Sequence, residues 1–163
     1  MFALQEPVID IADPSIESLL RRLYAAISFE EGSEPDWSEL EAVFSRHARI
    51  TRITPEGTDY LDPSSFISFT RNMHEFGAYT SFYEVEIARR TERFGHMAQV
   101  WSMYETRSHR TAAGALNRGL NSIQLIRERD GWQVLGLLWD ETHAHPQLDR
   151  SSLFSEGGEH GQG

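Results

Sequence analysis

The hydrophobic period of the chain changes once, near Tyr79, and that change fixes its architecture. Downstream, Tyr83, Val85 and Ile87 alternate with Glu84, Glu86 and Ala88, the period of two expected of a strand with one face against an apolar layer. Phe94-Gly95 marks a turn into a second long strand, His96 to Arg107. The small and polar stretch 108–118 reads as a loop at a hairpin end, and Leu120 to Arg129 as a third strand. Asp130-Gly131 is a strong two-residue hairpin signal. Trp132 to Trp139 is the last strand, apolar at nearly every position and so expected to be buried on both faces.

Upstream of Tyr79 the spacing is helical. Asp13-Pro14 supplies an N-cap oxygen and a proline at the first helical position. Ile16, Leu19, Leu20, Leu23 and Ile27 then fall on one face, and Glu31-Gly32-Ser33 ends the helix. Asp36 with Glu39 reads as a capping box for a second helix whose buried stripe is Trp37, Leu40, Val43 and Phe44. A short strand, Ala48 to Thr54, closes at Pro55-Glu56-Gly57. Asp62-Pro63 opens a third helix with Phe66, Phe69, Thr70, Met73 and Phe76 at helical spacing and Gly77 as its stop. Three helices followed by long antiparallel strands make an α+β domain with its helices gathered on one face of a sheet. Strands of about ten residues that cover helices must twist and bend, leaving a hollow between the two layers, and such hollows are where small ligands bind.

Composition narrows the chemistry. The 163 residues fit one domain, read as 13–148, with residues 1–12 as an N-terminal extension and 149–163 as a glycine-rich, disordered tail. There is no cysteine, which excludes disulfides, thiolate nucleophiles and Cys-ligated zinc. All fifteen basic residues are arginine, so Schiff-base chemistry on lysine is excluded as well. No apolar run approaches a membrane span and the N-terminus lacks the basic start of a signal peptide, so the expected location is the cytoplasm. The net charge is −10 and unevenly placed: residues 1–42 hold ten acids against two arginines, whereas 43–139 hold twelve arginines against ten acids. The acidic whole disfavours nucleic acid, while the mildly basic centre suits a small anionic ligand or solvates a surface.

The segment WSELEAVFSRHARITRI, Trp37 to Ile53, and the closing block RGLNSIQLIRERDGWQVLGLLWDE resemble the nuclear-transport-factor-2-like (NTF2-like) superfamily. That superfamily has a cone-shaped fold shared by ketosteroid isomerases, SnoaL-type polyketide cyclases, scytalone dehydratase and dioxygenase β subunits. FYEVEIARRTERFGHMAQVWSMYETR and GLNSIQLIRERDGWQVLGLLWDETHAHP are similar to a group of uncharacterised bacterial members, and the resemblance spans roughly residues 14–146. It implies three N-terminal helices on a strongly curved, mainly antiparallel sheet, and a cofactor-independent pocket protein: an isomerase, dehydratase or cyclase, or else a non-catalytic binding, dimerisation or accessory-subunit module. The oxyanion-donating tyrosine of ketosteroid isomerases matches Tyr24 here. Their general-base aspartate falls near Arg52, and an arginine cannot act as a base at neutral pH, so the isomerase mechanism does not carry over whole.

The candidate site residues follow from both lines. Tyr24 continues the apolar stripe of the first helix, either as a core aromatic or as a hydrogen-bond donor. Arg52 is in phase with Ala48 and Ile50, either as a clamp on a carboxylate or phosphate or as half of an ion pair with Glu75, Glu84 or Glu105. Tyr83, Tyr104, Asn121 and Trp139 come from different strands and either line one cavity wall or pack as core. His74 and His47 are the histidines placed to move a proton; the alternative is a helix-terminal role. No metal site is expected, because no histidine pair has ligand spacing on a helix and His143 and His145 lie in an extended HAHP segment. Gly114 and Gly119 are isolated and form no phosphate loop. The Glu84/Glu86/Arg90 face, interleaved with Phe82 and Ala88, is too apolar for free surface and too charged for core; because NTF2-like sheets commonly pair through their outer faces, the resemblance implies a homodimer with these residues at its interface.

Overall fold

The computed structural model describes residues 13–141 and the backbone of Val8 and Ile9. Three helices form where the sequence caps them. Helix α1 (Pro14–Ile27) starts on Asp13, whose carboxylate accepts from the Ser15 and Ile16 amides at 3.0 and 3.4 Å, with proline at the first helical position. It buries Ile16, Leu19, Leu20, Leu23 and Tyr24 as one stripe. Helix α2 (Trp37–Val43) starts on Asp36, which accepts from the Glu39 amide at 3.0 Å. The reciprocal half of the capping box is not made, because the Asp36 amide donates to the Ala26 carbonyl and Glu39 pairs with Arg22. Helix α3 (Pro63–Glu75) starts on Asp62, which accepts from the Ser65 amide at 2.7 Å.

The strands are β1 (Val8–Ile9), β2 (Phe44–Thr54), β3 (Gly57–Leu61), β4 (Tyr83–Phe94), β5 (Met97–Arg107), β6 (Asn117–Glu128) and β7 (Gly131–Glu141), in the spatial order β1-β4-β5-β6-β7-β2-β3. All pairs are antiparallel except β2 with β7. The curved sheet carries the three helices on one face. Leu20 and Leu23 of α1, Leu40 and Val43 of α2 and Phe66 of α3 close a single core over Ile50, Val100, Ile123, Leu125 and Val134. The α+β architecture is therefore the one expected.

Three details differ from the sequence reading. Phe44 caps α2 in an extended conformation and pairs with Val134, so β2 begins there rather than at Ala48; a bulge between Phe44 and Arg49 lets both ends keep their inward side chains. Strand β3 is additional. It pairs with β2 across the two-residue Pro55-Glu56 turn, and its residues up to Tyr60 are exposed, so no apolar alternation announces it. Strand β7 is buried on one face only: Val134 is fully enclosed, whereas Leu138, on the face away from the helices, is 41% exposed. Most of the expected N-terminal extension and residues 142–163, including His143 and His145, lie outside the described residues.

Candidate functional site

The sheet register assembles the site. Residues paired directly across strands share a face. Arg89 of β4 pairs with Ser102 of β5, Ser102 with Asn121 of β6, Asn121 with Trp139 of β7, Trp139 with Arg52 of β2, and Arg52 with Asp59 of β3. One transverse row thus holds most of the polar chemistry of the face that meets α1. The next row sets Glu86 beside Tyr104 and Tyr104 beside Gly119. A Cβ on Gly119 would overlap the Tyr104 ring, so glycine there is what lets the tyrosine lie flat against the sheet.

Tyr24 comes down onto this row from α1. It is 7% exposed. Its hydroxyl lies 2.6 Å from Ser102 Oγ and accepts from Asn121 Nδ2 at 3.1 Å. Ser102 is in turn hydrogen-bonded to Glu86 Oε2, and Glu86 Oε1 forms an ion pair with Arg89, 3.2 Å from its Nε. Burial, with Glu84 nearby, pushes the Tyr24 phenol far above its ordinary range. Burial also raises the Glu86 carboxyl above the ordinary glutamate value and outweighs the Ser102 bond and the Arg89 charge, which act in the opposite direction.

Above the row lies a cavity of about 500 Å³, bounded by α1, α3 and the inner sheet face. Tyr24, Tyr104, Asn121 and Trp139 border it and Arg52 stands beside them, so five of the six residues singled out in the sequence meet there. Arg52 donates from Nη1 to Asp59 at 3.3 Å and lies over the Phe69 ring at 5.3 Å. The acidic partner is thus Asp59 on the new strand β3, not one of the three glutamates anticipated. Tyr83 is elsewhere: it borders a second, more open cleft of about 660 Å³ between α1 and the β4 edge, with Arg110 over its ring at 5.7 Å.

The reason is a β-bulge at Ile87, where the register slips between Glu86 and Ala88. Ahead of the bulge Glu84 and Glu86 turn toward α1; beyond it Ala88 and Arg90 lie on the opposite face, with Ala88 packed on Met103. The expectation that Glu84, Glu86 and Arg90 share the outer face is therefore corrected: only Arg90 is there, paired with Trp101. Alternation alone could not reveal this, since a bulge inverts the phase without altering the residue pattern.

His74 is the other group of note. Its imidazole lies between Phe29 and Trp37, 4.6 and 6.2 Å from their ring centroids, and borders the cavity from α3. Both ring nitrogens are buried without a hydrogen-bond partner among the described residues. His47 is instead at the surface, accepting from Arg46 Nε at 3.0 Å. The residues that the sequence reading missed are Ser102 and the inward role of Glu86. Ser102 was visible as a small polar residue in phase with Tyr104. Among the described residues no group of three or more His, Asp or Glu side chains is placed to hold a metal ion.

Comparison with solved structures identifies this arrangement. A protein of unknown function with a cystatin-like fold from Nostoc punctiforme PCC 73102 superposes with a TM-score of 0.63 at 11% identity, covering 82% of this chain and 93% of its own. An NTF-2-like protein of unknown function from Silicibacter pomeroyi DSS-3 gives 0.57 at 13% identity, covering 78% and 92%. The fold is NTF2-like. LinA shares this fold with a TM-score of 0.59 at 10% identity, covering 78% of this chain and 83% of that one. No family model and no curated protein matches the sequence. At such identities the NTF2-like fold is what is common, and chemistry has to be argued from the site. Among the described residues no helix is long and apolar enough to cross a membrane.

Proposed function

We propose that this chain binds a small ring-bearing organic molecule in the cavity under α1 and α3 and transfers a proton on it without a cofactor, as an isomerase, dehydratase or cyclase. The observation that carries this reading is His74. A buried imidazole with neither nitrogen engaged is costly, and this one borders the cavity opposite the polar row with both nitrogens closed off beside Phe29 and Trp37. A bound molecule that parts these rings supplies the missing partner, and the imidazole is then placed to accept or return a proton.

The rest of the lining sets the ligand's class. Phe66, Phe69, Trp139 and Leu137 give apolar area, and 500 Å³ suits a molecule of one or two rings. Asn121 and Arg52 are two strands apart in the same row, roughly 10 Å at the usual strand spacing. That span suits a molecule with a carbonyl or hydroxyl at the Tyr24–Asn121 end and a carboxylate at the Arg52 rim. A suitable test incubates the protein in D2O with a cyclic β,γ-unsaturated ketone. Deuterium uptake beside the carbonyl, lost in His74→Gln, supports the reading. Saturable binding of the ketone without exchange leaves the non-catalytic binding module, and no binding removes both.

The outer sheet face supports a second copy of the chain as partner. There the row Arg90–Trp101–Ser122–Leu138 crosses four strands, with Trp101 37% and Leu138 41% exposed. Two large, half-exposed apolar side chains in one row of an open sheet face, with only Ser122 between them, are those a symmetric dimer would cover.

A further inference from the structure

Glu86, Ser102 and Tyr24 form a chain of hydrogen bonds that connects the two hollows. Glu86 borders the open cleft and Tyr24 borders both spaces, while Ser102 is fully buried between them. Ser102 and Tyr24 carry one hydroxyl proton each, and the raised phenol keeps its proton throughout. Asn121 Nδ2 already donates to the Tyr24 oxygen.

When Glu86 is ionised it can only accept. Ser102 then donates to Oε2, Tyr24 donates to Ser102, and the tyrosine has no proton left for the cavity. When Glu86 is protonated, the proton that can reach Ser102 is the one on Oε2, the carboxyl oxygen hydrogen-bonded to Ser102 Oγ, while Oε1 faces the Arg89 guanidinium in an ion pair. Every link then reverses: Glu86 donates to Ser102, Ser102 donates to Tyr24, and the Tyr24 proton is free to point into the cavity while its oxygen accepts from Ser102 and Asn121. We infer that the protonation state of Glu86, relayed by Ser102, sets whether Tyr24 offers the cavity a proton or a lone pair. Glu86 and Ser102 are positioning residues in this scheme. The neutral state selects ligands with an acceptor such as a carbonyl, and the ionised state selects ligands with a hydroxyl or amine donor; this selection rests on the ligand-binding reading above.

The charged and titratable groups around Glu86 are few. Arg89 holds it from β4, and Glu17 of α1 lies 4.0 Å from Arg89 Nη2 and so shares that cation. Arg21 of α1 borders the same cleft, Glu84 lies two residues ahead on β4, and Tyr104 is the paired residue on β5. Burial raises the Glu86 carboxyl, which brings the switch above the ordinary glutamate range.

The test needs no ligand, so it can fail while the cavity reading stands, and the reverse. Protein labelled with carbon-13 at tyrosine Cζ and glutamate Cδ is titrated by NMR, with Tyr24 and Glu86 assigned through Tyr24→Phe and Glu86→Gln. The expected result is a Tyr24 Cζ shift with the same midpoint as the Glu86 carboxyl. Glu86→Gln should abolish that shift. In Ser102→Ala, Glu86 should still titrate while Tyr24 no longer follows. A Tyr24 signal that stays flat while Glu86 titrates in the unaltered protein overturns the inference. So does a Tyr24 shift that persists unchanged in Ser102→Ala, since it would then report only the charge at a distance.

Discussion

Tyr24 has to satisfy two demands, and they can be measured separately. Its ring completes the α1 stripe, and its hydroxyl is the only described partner of the Asn121 amide nitrogen. Tyr24→Phe keeps the ring, strands the Asn121 amide nitrogen and leaves Ser102 with Glu86 as its remaining partner. It should cost about 1–3 kcal/mol in urea unfolding, whereas a hydroxyl facing solvent would cost almost nothing. Glu105 makes a contrasting case on the outer face. It is held by Arg118 at 2.6 Å and Arg107 at 3.0 Å, and the Arg118 bond, then the Arg107 bond, keep its carboxyl below the ordinary glutamate value. A lowered carboxyl stabilises the fold above the unfolded-state value and loses that contribution as pH falls through the folded one. Glu105→Gln should therefore cost about 1 kcal/mol near pH 7 and progressively less as pH falls below the ordinary glutamate value, read from unfolding midpoints across that range. Glu86 has the opposite sign: its raised carboxyl makes stability fall as pH climbs from the ordinary glutamate value to its own, and Glu86→Gln should flatten that slope.

At the scale of elements, helices were legible and strand phases only partly so. The Asp-Pro openings at residues 13 and 62 locate two helix starts because a cap and a fixed φ are local chemistry. The exposed strand β3 leaves no such mark, and the Ile87 bulge inverts a phase that the residue pattern cannot record. That bulge explains why Tyr83, ahead of it, borders a different space from the cavity where Tyr24, Arg52, Tyr104, Asn121 and Trp139 meet. Gly119 illustrates an element-level dependence that sequence alone concealed. Read as an isolated glycine, it is the floor beneath the Tyr104 ring. Gly119→Ala should force that ring off the sheet and lower stability by about 1–3 kcal/mol in thermal or urea melts. Gly114→Ala, with open space around its Cβ position, serves as the control and should be near neutral.

For the whole molecule, the two sheet faces divide the work: the inner one carries the cavity and the outer one presents Trp101 and Leu138. Light scattering at micromolar concentration should give twice the 18.7 kDa chain mass, and Leu138→Arg should return it to one, without loss of secondary structure by circular dichroism. A single mass for the unaltered protein would remove the second copy while leaving the cavity untouched. The space under α1 and α3 should be hollow and receive a ring-bearing molecule, and two of the four tryptophans are placed to report on it from opposite sides. Trp139 borders the cavity and Trp101 lies on the opposite face. In protein labelled with 5-fluorotryptophan, titration with 2-naphthoate followed by fluorine NMR should shift Trp139 saturably and leave Trp101 in place. A Trp139 signal that does not move, or a saturable shift at Trp101 alone, would contradict the account.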